Sequence, residues 1–124
     1  MKMNTALCVA ATALALSVPA ALAEMPGMDM QKMMMPKPDD SASTKDLKQA
    51  HMDMMHNMNI DFTGNPDADF ARSMIKHHRG GIEMAKIQLK YGKDPEIREM
   101  AEKLIKDQGG ENDKFEAWLK NNPR

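Results

Sequence analysis

The sequence of 124 residues predicts an all-α protein: an antiparallel helical hairpin, a shorter helix before it, and a disordered methionine-rich tail at the start of the mature chain. Three observations lead there. Apolar residues recur at spacings of three and four, as on one side of an α-helix. Asn65-Pro66 and Asp94-Pro95 each place a capping side chain just before a proline, as at a helix start. No stretch alternates apolar and polar residues as a half-buried strand would.

Taken in chain order, residues 1–23 read as an export leader. Lys2 supplies the positive charge, Ala6 to Val18 is a nearly continuous apolar run of 13 residues, and Ala21-Leu22-Ala23 is a small-x-small cleavage site. The run is shorter than the roughly 20 residues a bilayer span needs. Lipid anchoring at Cys8 is disfavoured, because no hydrophobic region precedes that cysteine. The expected mature protein is therefore soluble, begins at Glu24, and is periplasmic or secreted. Residues 24–42 hold Pro26, Pro36 and Pro38 but no Leu, Ile, Val or aromatic residue, so they predict a disordered tail.

The helical domain is expected over residues 43–121. Ser43 with Asp46 resembles a capping box, and the first helix runs to about Met58. The second follows Asn65-Pro66, with an inner stripe of Phe70, Met74, His77, Gly81 and Met84, and Ala71, Ile75, His78, Ile82, Ala85 and Leu89 alongside. Gly92 ends it. Asp94-Pro95 opens the third, whose stripe is Ile97, Met100/Ala101, Leu104/Ile105, Gln108, Phe115 and Trp118/Leu119. So thin a core makes a homodimer completing a larger bundle the expected assembly.

Composition narrows the function classes. Without Lys2 the mature chain carries 16 Lys and Arg against 18 Asp and Glu, which argues against nucleic acid or an anionic membrane as main partner. Cys8 leaves with the leader, so neither a disulfide nor a cysteine-based zinc site remains. Of 15 methionines only Met1 and Met3 are lost, leaving 13 in about 100 residues. Core packing does not account for Met25, Met28, Met30, Met33, Met34 and Met35, which sit where there is no core to fill. Thioether sulfur is soft and uncharged, and prefers Cu(I) and Ag(I) to Zn(II) or Mg(II).

The helices add imidazoles to the sulfurs. In the first, His51, Met55 and Met58 share one face while Met52 and His56 share another. In the second, Met74 precedes His77 by one turn. His77 and His78 point about 100° apart, so one of the two binds while the other packs. A turn near residue 62 or 63 makes facing numbers on the first two helices sum to about 125. His51, Met74 and His77 then converge, with Met55 as a fourth ligand. In the hairpin, facing numbers sum to about 185, which sets His77 level with Gln108. Gly109-Gly110 then lets the third helix approach closely, or weakens it locally.

The stretch Asp69-Phe70-Ala-Arg-Ser-Met74-Ile-Lys-His77-His78-Arg-Gly-Gly81-Ile82-Glu-Met84-Ala85 resembles domain-of-unknown-function family 305. Asp94-Pro95-Glu96-Ile97-Arg98, Gln108-x-x-Glu111 and Trp118-Leu119 fit its later part. The resemblance implies a ferritin-like helical bundle, and for CopM-like members copper and silver binding that supports copper tolerance. It marks Met74, His77, His78 and Met84 as ligand positions. Asn112 and Phe115 stand where members commonly have an aliphatic residue and a Met, and glycines replace ordinary residues at 109 and 110.

The expected function is thus an exported protein, not an enzyme, that sequesters or relays Cu(I), with Ag(I) as a mimic and Cu(II) as a further ion for the imidazoles. Its partners are metal ions and a copper-handling protein. The alternative is a helical interaction module whose Met-rich surfaces grip a partner protein. A carboxylate di-iron enzyme needs a Glu three residues before an inward His, and neither His77 nor His78 has one.

Overall fold

A computed structural model describes residues 30–123. The expected leader and residues 24–29 lie outside these. Four helices follow in order: α1 (Met30–Met34), α2 (Ala42–Asn57), α3 (Pro66–Tyr91) and α4 (Pro95–Asn121). No strand occurs among the described residues.

The starts of the two long helices are those the sequence marks. The Asn65 side chain accepts from the N–H groups of Asp67 and Ala68, and that of Asp94 from Ile97. Each satisfies N–H groups that a helix start leaves without a carbonyl. The turn before α3 is held by Asp69, which accepts from the Thr63 and Gly64 N–H groups. Gly64 has φ +82°, a conformation that costs a side chain but not glycine. The cap of α2 is Ser41 rather than Ser43: its hydroxyl accepts from the Thr44 N–H. A turn over Lys37 to Asp40 precedes it, and Lys48 pairs with Asp40 at 2.7 Å. The last part of the methionine-rich segment is thereby tied down, and α1 packs on α2.

α3 is the centre of the domain. It packs against α2 and α4, and those two do not touch each other. The contact line with α2 passes Gly80, where an added Cβ would lie 2.5 Å from the Met54 Sδ. The line with α4 passes His78 and Gly81, whose Cβ would lie 2.6 Å from the Gln108 Oε1. His78 and Gly80 are about 160° apart around the helix. The neighbours therefore flank α3 on opposite sides, and the three helices form one layer. Buried residues are small: Ala50, Ala68, Ala71, Ile75, Ala85 and Ala101, with His78 and Asn112 as the polar pair. The buried line of α3 is Ala71, Ile75, His78 and Ala85. Of the line expected to face inward, Gly81 meets α4, while Phe70, Met74, His77 and Met84 are half-buried or exposed.

The registers also differ from expectation. Met54 faces Gly80, and Asp46 accepts from Lys90 and the Tyr91 hydroxyl, pairs whose numbers sum to 134, 136 and 137. The first turns of α3 thus project past the end of α2 rather than folding back along it. In the hairpin, His78 meets Asn112 and Gly81 meets Gln108, sums of 190 and 189, about one turn off the expected pairing. Gly109 and Gly110 approach nothing within 4 Å, so the close approach belongs to Gly80 and Gly81.

Two outcomes follow. Gly109→Ala and Gly110→Ala should each stabilise by about 0.5–1 kcal/mol, since helix propensity improves with nothing in the way. Gly80→Ala should lower the melting temperature despite the same propensity gain, because Met54 must move. Hydrogen bonds from Lys90 and Tyr91 hold the Asp46 carboxyl below its ordinary value of 3.8, and one from Lys48 does the same for Asp40. The unfolded chain therefore takes up these protons first. The stability the two carboxylates contribute is present above pH 3.8 and lost as pH falls below it, so thermal melts should drop there. In Asp46→Asn that drop should be smaller.

Candidate metal centre

On α2, Met52, Met55 and His56 stand three and four residues apart and so share one face. With Met34 from the end of α1 they line a groove of about 440 Å³, and Asp53 completes its wall. Three thioethers and an imidazole thus border one space. Met55 is 50 % exposed and His56 is exposed, so an ion reaches these donors from solvent. Asp53 accepts from the Gln49 amide at 2.8 Å, leaving its carboxylate charge beside the groove. A cation is favoured there without a second carboxylate to claim it as a hard ligand. Among the described residues no three His, Cys, Asp or Glu side chains come together as a metal-binding group. The donor cluster this fold does assemble is rich in sulfur.

The other expected ligands fall in different places. His51 and the Met74–His77 pair do not converge. Given the α2–α3 register, residue 51 stands level with residues 83–86, about 10 Å along the axis from His77 and about 15 Å from Met74. Met55 joins the α1 groove instead of this trio. His51 keeps one feature of a metal-binding imidazole: its Nδ1–H donates to the Leu47 carbonyl at 2.8 Å, which leaves Nε2 as the free lone pair. Met74 and Met84 are half-buried and His77 is exposed on one stripe of α3. Met33 and Met35 are 59 % and 53 % exposed. Met25 and Met28 lie outside the described residues, as does the side chain of Met30.

His78 is the packing member of the adjacent pair. It is 4 % exposed, and its Nδ1 bonds the Asn112 Oδ1 at 3.1 Å while Nε2 lies 3.5 Å from a Glu111 carboxylate oxygen. Its ring also tilts against Phe115, with centroids 6.1 Å apart. With both nitrogens engaged from α4, it is not placed to bind an ion. Asn112 is the residue that satisfies its Nδ1. Met54, the remaining α2 thioether facing α3, is likewise used in packing, against Gly80.

A second groove, of about 350 Å³, lies between α2 and α3 and is bordered by Asp46, Asp53, Lys76, Arg79 and Glu83. Met54 brings the thioether on that border, so the chemistry for a soft ion is in the α1–α2 groove.

Fold and side chains together define a small all-α protein in which a short methionine helix closes a Met/His groove on a three-helix layer. The chain belongs to the family described as a domain of unknown function, DUF305, whose model matches residues 10–119. No curated protein matches it. No described helix is long and apolar enough to cross a membrane.

Replacing Asn112 by Leu should cost about 1–3 kcal/mol, since it leaves a buried imidazole N–H without its acceptor. Thermal unfolding measures this, and metal titration of the same variant should be unchanged.

Proposed function

We propose that this protein binds Cu(I), and Ag(I) as its mimic, to sequester or relay the metal without catalysis. The observation that carries the reading is the α1–α2 groove, where Met34, Met52, Met55 and His56 border one space. Neutral soft donors match monovalent soft ions and discriminate against Zn(II), Mg(II) and Ca(II). No thiol remains once the leader is removed, so capture would proceed in an oxidising compartment without disulfide exchange. Export to the periplasm or the exterior, suggested by residues 1–23, fits that chemistry. The sulfurs of Met25, Met28, Met30, Met33 and Met35 would add further capacity. Support of copper tolerance, with transfer to a copper-handling partner, is the corresponding role. Cu(II) would find imidazoles at His51, His56 and His77 but no cluster of them.

Competition titration of the purified protein with Ag(I), Cu(I) and Zn(II) tests the reading. The soft ions should bind more tightly, with more than one ion per chain. Met52→Ala, Met55→Ala and His56→Ala together should weaken the tightest site by about tenfold or more, a loss of at least 1.4 kcal/mol. The helical circular dichroism should persist, because these side chains lie on the outer side of α2. Zinc binding equal to or tighter than silver would refute the proposal.

A further inference from the structure

A single layer of helices has two broad faces. One is charged and carries the Asp46, Lys76, Arg79 and Glu83 groove. The other includes the α3 line of Phe70, Met74, His77 and Met84, which runs between the Gly80 line toward α2 and the His78 line toward α4. Phe70 is 56 % exposed and meets Phe115 edge-on, with ring centroids 5.8 Å apart. That contact places the α4 stripe of Met100, Leu104, Phe115 and Trp118 on the same side, where Met100 is 61 % and Trp118 38 % exposed. Apart from His77 the named residues of the two stripes are apolar; Glu111 lies among them beside His78, and Asp107 and Lys114 border them on α4. Within the described residues the chain fully buries no large side chain. Helical domains are built from at least two packed layers, and this one supplies a single layer.

We infer that a second copy of the chain covers this face, packed about a two-fold axis with α3 antiparallel to its mate. The size is suitable. α3 and α4 are each about 40 Å long and 8–10 Å apart, which gives a face of roughly 700–800 Å², what each partner of a stable complex buries. The α3 stripe also reads alike in both directions, as an isologous contact requires. With the axis near Gly81, Met74 stands opposite the partner's Gln88 and His77 opposite the partner's Met84. The methionine-rich segment does not compete for the face, since its described part packs on α2 and it contains no aliphatic or aromatic anchor. The pairing of His77 with the partner's Met84 would bring two soft donors together at the interface. The inference itself does not depend on metal binding.

Sedimentation equilibrium on protein purified from expression of the full chain reads the assembly. Twice the chain mass is expected at micromolar concentration. Met100→Glu, a change at an exposed position, should raise the dissociation constant by at least a hundredfold and leave the helical dichroism intact. His77→Cys combined with Met84→Cys should yield a disulfide-linked dimer on mild oxidation. A monomer at all accessible concentrations would overturn the inference, as would a dimer indifferent to Met100→Glu. So would a monomer that co-sediments with phosphatidylcholine vesicles, which would show lipid to be the occupant.

Discussion

The contacts of α3 with its two neighbours govern the rest of the molecule. Gly80 admits Met54 from α2, and Gly81 admits Gln108 from α4. Each glycine in a helix interior costs about 1 kcal/mol relative to Ala. The cost is offset by close packing, and the direction of that packing fixes the shape. Because α2 and α4 never meet, the chain forms a layer, its buried residues are mostly alanine, and its largest apolar side chains stay outside. His78 anchors the α4 side through Asn112, which explains why one imidazole of the adjacent pair is inside and the other out.

The same layer geometry separates the methionines by task. Met54 points inward and fills the space over Gly80. Met52 and Met55 point away from α3, where the short helix α1 brings Met34 beside them. Sulfurs on that outer side have no core to fill, and an imidazole stands with them. Met74, Met84 and Met100 sit on the open apolar face, where flexible thioethers suit a packing surface as well as an ion.

Much of the fold was legible in the sequence. The capping residues Asn65 and Asp94, the prolines behind them and the stop at Gly92 mark helix boundaries through local hydrogen bonding, which short-range sequence records directly. The register was not legible. Residues 59–65 run on past the end of α2, so a tight turn at residue 62 or 63 misplaces α2 against α3 by about ten residues, and with it the expected His51, Met74 and His77 site. The inner face of α3 was ambiguous for a physical reason. Two adjacent stripes both repeat at three and four; the small residues of one (Ala71, Ala85) are buried, and the other meets α4 at Gly81. Met55 and His56 were recognisable as candidate ligands from their types. Their grouping with Met34 was hidden, because nothing local in Met30–Met34 shows that it packs on α2.

Methyl resonances of the methionines during silver titration test the central claim most directly. In ¹H–¹³C spectra of methionine-labelled protein, the account predicts that Met34, Met52 and Met55 shift first and together. Met54 should stay fixed until excess silver is present, because its sulfur packs against Gly80. First shifts at Met74 and Met84 with Met52 and Met55 unmoved would contradict the account, as would uniform weak shifts across all the methionines.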